Sequence, residues 1–277
     1  DSCRACVVEV KGEKALTASC IRKPMDGMEV FTDNPKVDKS QKLVLELLLS
    51  DQPKTKQKTY QEDHFWNILN IKQITSSRFT PKNSDTVPKT DNSHPAMTVA
   101  LDACIQCGLC IRACRDVQVN DVLGMSGRGA NSYPVFDTNA SMGESSCVGC
   151  GECVQACPTG ALIETSLIND DNNQTVYPDK KIKSLCPFCG VGCQTLVSVK
   201  DNSIMAIDGY EGPANENRLC IKGRFGYDYI SSPVRLKEPL IRISHKTKSW
   251  DLSCHLYTSD AADEGLREDL RGRRIIK

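Results

Sequence analysis

Alternation and helical periodicity pick out a few strong elements separated by long polar stretches. "CVVEV", residues 6–10, is rich in β-branched side chains and predicts a strand. "DKSQKLVLELLLS", residues 38–50, predicts a helix on which Leu43, Val44, Leu47 and Leu48 share one face, with Asp38 or Ser40 able to cap it. Residues 51–95 are rich in Lys, Thr, Ser, Asn and Pro, and "DHFWNILNI" alone interrupts them, so they predict a linker with a short docking helix. "CQTLVSVKDNSIMAIDG", residues 193–209, alternates apolar and polar positions on either side of Asp201 and Asn202, the pattern of a hairpin with a tight turn. No apolar run approaches the ~18 residues of a membrane span. "DSCRACVVEV" has neither the basic start nor the greasy stretch of a secretory leader.

A chain of 277 residues suggests one to three domains. Lys and Arg number 35, as do Asp and Glu, so the net charge gives no reason to expect a nucleic-acid or membrane-surface partner. The 16 cysteines change the picture. A disulfide framework spaces its cysteines along the chain, because each bridge needs suitably placed Cβ atoms. Here they cluster two and three residues apart, with none between Cys20 and Cys104. Clustering favours convergence on metal, and a reducing compartment.

The central feature is a pair of matching combs. "CIQCGLCIRAC" holds Cys104, Cys107, Cys110 and Cys114, and "CVGCGECVQACP" holds Cys147, Cys150, Cys153 and Cys157. Each reads C-x2-C-x2-C-x3-C, which matches the bacterial ferredoxin run, in which the fourth cysteine ligates the other cluster. Three thiolates at x2 intervals can wrap a loop round one face of a cubane, while the last, at the start of a short helix, reaches across. The expected [4Fe-4S] ligand sets are therefore Cys104, Cys107, Cys110 with Cys157, and Cys147, Cys150, Cys153 with Cys114. Gly108, Gly149 and Gly151 suit a backbone that curls round a cluster. Zinc competes, but its sites usually show two separated pairs of ligands.

A third set follows. Cys186, Cys189, Cys193 and Cys220 read C-x2-C-x3-C-x26-C, a separate single-cluster domain. "CPFCGVGC" followed by "GPANENRLCIKGRFGYDYI" resembles the start of the large subunit of molybdopterin-dependent formate dehydrogenases. "SHPAMTVALDACIQCGLCIRACRDVQVNDVLGM", "CVGCGECVQACPTGAL" and "SSPVRLKEPLIR" are similar to the neighbouring segments of the cytoplasmic, NAD-linked type. The resemblance spans about residues 1–245. It implies a [4Fe-4S] cluster on the third set and a role for Lys222 on the electron path between that cluster and a pterin, where the alternative is a solvated surface lysine. It also implies a β-grasp [2Fe-2S] domain around Cys3, Cys6 and Cys20, whose fourth cysteine would precede the pair, before residue 1.

The expected architecture is α+β and multidomain. A truncated [2Fe-2S] domain occupies residues 1–50, a linker 51–95, a two-cluster ferredoxin-like domain 96–170 and a molybdopterin oxidoreductase [4Fe-4S] domain 180–245. Complex I relatives, and some formate dehydrogenases, carry a His/Cys3 cluster in the linker region, which has no cysteine here, so His64 and His94 are expected to be packing or surface residues. Residues 254–277, with Cys254 and His255, resemble a translated sequencing adapter and are expected to carry no function. The resemblance further implies formate oxidation at a molybdenum or tungsten bis(pyranopterin guanine dinucleotide) centre, its ligands beyond residue 250, and NAD-reducing, diaphorase-type partner subunits. Two alternatives stand beside it: another molybdopterin or complex I-type large subunit, and a stand-alone polyferredoxin.

Overall fold

The computed structural model describes residues 3–53, 64–81, 88–168, 176–236, 241–244 and 249–251. The tail expected to be foreign, residues 254–277, lies outside the described residues. Two compact units divide the chain, Asp1–Tyr227 and Asp228–Lys277. The architecture is α+β and multidomain, as the sequence implies.

The first part of the larger unit pairs a small sheet with one long helix. β1 (Val7–Val10) is the expected strand and lies between β2 (Thr17–Ala18) and β3 (Val30–Phe31), antiparallel to both. α1 runs over Pro35–Ser50, longer at its start than the pattern indicates. Its cap is neither Asp38 nor Ser40 but Asn34, whose Oδ1 accepts from Val37 N at 2.9 Å, with Pro35 favouring the first turn. Its buried face is Val37, Leu45 and Leu49, whereas Leu43 and Leu47 are exposed. The run "LVLELLL" is apolar on nearly every face, so periodicity alone cannot choose the face that packs.

α2 (His64–Ile71) is the expected docking helix. Phe65 and Leu69 bury themselves against Leu45, Leu49 and Ile105, and Phe65 N donates to Pro158 O at 3.1 Å. One short helix thus joins the N-terminal layer to the loops of both combs.

The two-comb region is closed by strands from its ends. β4 (Met97–Val99), ahead of the first comb, pairs antiparallel with β7 (Leu162–Glu164), behind the second. Between the combs, β5 (Leu123–Ser126) pairs with β6 (Tyr133–Phe136). Met97, Val99, Leu123, Phe136, Met142 and Leu162 form the core, and Cys114 and Cys153 are buried in it. α3 (Leu109–Arg112) and α4 (Glu152–Gln155) begin one residue before the third cysteine of each comb. The last cysteine therefore does not open a helix: Cys114 lies in a π-turn over Ala113–Val117, and Cys157 follows α4.

Beyond the combs, β8 (Lys180–Leu185), β9 (Gln194–Lys200) and β10 (Ser203–Gly209) form an antiparallel meander. Its hairpin turn is at Asp201 and Asn202, both in the left-handed region with φ of 47° and 60°. α5 (Ile221–Phe225) follows, with Cys220 at its N-cap. In the second unit, β11 (Ile241–Ser244) and β12 (Ser249–Asp251) pair antiparallel. Among the described residues, no helix is long and apolar enough to cross a membrane.

Candidate metal-cluster sites

The fold sorts the comb cysteines into two cavities, and the sorting is crossed. Cys104, Cys107, Cys110 and Cys157 line one. Cys114, Cys147, Cys150 and Cys153 line the other. The cause is local. Gly108 and Gly151, both at φ +73°, turn the chain sharply into α3 and α4, which aims the first three thiols of each comb inward. The residues beyond the helix then carry the fourth thiol to the neighbouring cavity.

Each quartet fits a thiolate-held cluster. Backbone N–H groups point at sulfur, from Gln106 to Cys104 and from Gly149 to Cys147 at 3.4 Å, and from Leu162 to Cys157 at 3.5 Å. Such donors stabilise negative sulfur and tune cluster potential. Among the described residues no three His, Cys, Asp or Glu side chains converge on a single-ion site. Runs of three thiols at x2 spacing suit a cluster of several irons better than zinc, whose sites usually show two separated pairs of ligands.

Burial raises the thiols of Cys107, Cys110, Cys147, Cys150 and Cys153 above their ordinary range. It pushes the Cys107 thiol up to about 12, with the neighbouring Cys157, Cys104 and Cys3 adding to the rise. Cys110 is raised by burial and then by Cys157, Cys104 and Cys107. Cys153, the most enclosed, is raised by burial and then by Cys110, Cys150, Cys147 and Cys114. Metal binding must displace these protons.

The N-terminal and third sets are also gathered. Cys6 sits beside Cys20; burial would raise its pKa, but hydrogen bonds from Cys20 and Ser19 outweigh that and lower it. Cys3 lies within electrostatic reach of Cys107. Cys193 is raised by burial and then by Cys186, Cys189 and Cys220, so all four members of the third set lie together, and Cys186 N donates to Cys193 O at 2.8 Å. Lys222, on α5, is exposed. His94 Nδ1 accepts from Ala96 N at 3.2 Å, and His64 is exposed.

Two residues central to the third set carry no motif signal of their own. Asn215 is buried: its Oδ1 accepts from Gln194 N at 3.0 Å, and its Nδ2 donates to Gln194 O and Arg218 O at 3.0 Å and to Tyr210 O at 3.4 Å. It staples the loop leading to Cys220 onto the start of β9. Arg224 is wholly buried among Glu152, Glu164 and Asp208. The only hint of either is position within "GPANENRLCIKGRF".

Comparison with known proteins agrees with this layout. Residues 179–232 match the molybdopterin oxidoreductase Fe4S4 domain, residues 86–161 a 4Fe-4S dicluster domain, and residues 1–35 a 2Fe-2S iron-sulfur cluster binding domain. A component of the NADH-quinone oxidoreductase of Rhizobium meliloti (strain 1021) is 30% identical over 87% of this chain and 28% of its own length. "Putative formate dehydrogenase YrhE" of Bacillus subtilis (strain 168) is 29% identical over 93% of this chain and 30% of its own length. The crystal structure of an NAD+-reducing [NiFe]-hydrogenase in the H2-reduced state superposes with a TM-score of 0.52 at 26% identity, covering 59% of this chain and 69% of that one. The chain thus spans under a third of these two curated relatives. Its class is an iron–sulfur electron-transfer module, homologous to the N-terminal regions of formate dehydrogenase-like and NADH-quinone oxidoreductase-type members of the molybdopterin oxidoreductases.

Proposed function

We propose that this chain conducts electrons within the large subunit of a cytoplasmic, NAD-linked formate dehydrogenase. The observation that carries the proposal is the succession of cysteine sites. Cys3 neighbours Cys107, Cys110 of one quartet neighbours Cys153 of the other, and Cys150 accepts a hydrogen bond from the helix that Cys220 opens. Four candidate sites therefore follow one another in space in the order of the sequence.

In this reading Cys104, Cys107, Cys110 and Cys157, then Cys114, Cys147, Cys150 and Cys153, then Cys186, Cys189, Cys193 and Cys220 each hold a [4Fe-4S] cluster. Cys3, Cys6 and Cys20 supply three ligands of a [2Fe-2S] cluster. When bound, the clusters supply one-electron storage at each position. The chain's own residues hold the sites in sequence, exclude water from Cys114 and Cys153, and direct backbone N–H groups at sulfur. Formate oxidation, HCOO⁻ to CO2, H⁺ and two electrons, would occur at a molybdenum or tungsten pterin centre formed by the rest of the subunit. The electrons would leave toward flavin-bearing subunits that reduce NAD+. Lys222, beside Cys220, would face the pterin end of the path.

Support for formate comes from relatives such as YrhE and from the "GPANENRLCIKGRFGYDYI" resemblance. A second reading, the same conductor in a subunit serving another donor, is favoured by the likenesses to the hydrogenase and to the NADH-quinone oxidoreductase component. The test is the full-length protein produced anaerobically with its neighbouring flavin subunit and assayed for formate-dependent NAD+ reduction. Turnover with formate supports the first reading. Cluster reduction by dithionite with none by formate would transfer the chain to the second.

A further inference from the structure

Arg224 has no solvent exposure, and its guanidinium reaches four separate segments. Nε donates to Cys150 O at 3.0 Å, in the loop of the second comb. Nη2 donates to Gln155 Oε1 at 2.5 Å, on α4. Nη1 donates to Asp208 Oδ1 at 3.1 Å and Ile207 O at 3.4 Å, on β10, and lies 3.8 Å from Glu164 Oε1, on β7. Glu152 Oε2 is 3.6 Å from Nη2.

The backbone around it leaves no slack. A Cβ on Gly151 would come within 2.2 Å of Arg224 Cδ, and one on Gly149 within 2.9 Å of Ile221 Cδ1. The comb loop and the helix after Cys220 are thus interlocked at both glycines. Gln155 extends the lock: its Oε1 also accepts from Gly209 N at 3.1 Å, and its Nε2 donates to Asn217 O at 2.8 Å.

Filling this space with an apolar side chain would avoid the cost of desolvating a guanidinium, so packing alone does not explain the residue. What arginine adds is a planar fork that satisfies several acceptors in fixed directions, which lysine cannot reproduce. We propose that Arg224 is the positioning residue for electron passage between the Cys114/Cys147/Cys150/Cys153 site and the Cys186/Cys189/Cys193/Cys220 site. Its side chain ties the backbone of one ligand to the helix begun by another. Electron exchange falls off exponentially with separation, so a small drift at this joint is costly in rate. The proposal rests on the iron–sulfur reading and is independent of formate as donor.

The test uses the full-length protein with its clusters, reduced by dithionite so that no formate chemistry is needed. Arg224→Met and Arg224→Lys are compared with wild type for iron content, for the magnetic splitting between the two reduced centres, and for the rate at which a flash-injected electron passes between them. Both variants are expected to weaken the splitting and slow intercentre transfer at least tenfold, with the Cys104/Cys107/Cys110/Cys157 site unaltered. Arg224→Lys keeps a buried cation but loses the fork, so it answers the question if Arg224→Met does not fold. Unchanged splitting and rate in Arg224→Lys, with iron retained, would overturn the proposal alone. A wild type holding no iron at either quartet would overturn the iron–sulfur reading beneath it as well.

Discussion

Cys157 sits against Cys110, in the cavity of the first comb rather than that of its own. Cys114 makes the reciprocal exchange. Cys157→Ser is therefore expected to remove up to about four irons from the site of Cys104, Cys107 and Cys110. The Cys147, Cys150 and Cys153 signals should persist in site-resolved spectroscopy. Loss of the latter signals instead would refute the crossed assignment.

The face of α1 supplies a stability test. Leu49 is buried against Phe65 and Leu69, while Leu47 is half exposed. Leu49→Ala is expected to cost about 2–5 kcal/mol, and Leu47→Ala to stay within about 0.5 kcal/mol. Denaturant midpoints of the two variants measured side by side would reverse in order if the face were the one the sequence pattern indicates.

These two cases mark what was legible beforehand. The grouping of the comb thiols round two cavities follows their spacing, because a short loop of fixed length can present its thiols in only a few ways. The hairpin at Asp201 and Asn202 was legible for a similar reason, since two left-handed residues are a local demand on local sequence. The buried face of α1 depends on α2 and Ile105, which are distant in the chain. Asn34 is hard to tell from Asp38 and Ser40 as a cap, because those two offer equally good chemistry nearer the apolar run. Arg224 was invisible because its partners Cys150, Gln155, Glu164 and Asp208 come from four segments, none of which marks an arginine as buried.

Asn215 offers a test of how the third site is built. Asn215→Leu keeps the branched shape of the side chain yet strips partners from Gln194, Tyr210 and Arg218. Leaving buried polar groups unpaired costs about 1–3 kcal/mol each, so a loss of about 3 kcal/mol is expected. Iron should be lost from the site containing Cys220 while the two-comb sites stay filled. Full iron with an unchanged denaturation midpoint would show that the loop is held by other means.

Lys222 tests the proposed exit from the pterin. It is exposed on α5, so Lys222→Ala should leave iron content and denaturation midpoint unchanged. In the full-length enzyme, single-turnover reduction of the clusters by formate should nonetheless slow severalfold, because an ammonium favours electron arrival nearby and donates hydrogen bonds. An unchanged reduction rate would make Lys222 an ordinary surface lysine.

Glu164 ends β7 beneath Arg224 with 2% exposure, and its Oε2 has no hydrogen-bond partner among the described residues. Burial raises its pKa from 4.5 to about 8, and the Asp208 charge adds to the rise; Arg224 opposes both without cancelling them. Between those values the folded protein keeps a proton that the unfolded chain has released. Stability therefore falls as pH rises through this window, is unaffected by the group below it, and bears the whole penalty above it. Glu164→Gln imitates the protonated carboxyl and removes the dependence. Relative to that variant, the wild type should lose about 1.4 kcal/mol per pH unit from pH 5 to pH 8, and run parallel above pH 8. Denaturant titrations of both proteins at unit pH intervals read this directly. Parallel curves from pH 5 upward would mean that Arg224 keeps Glu164 ionised throughout.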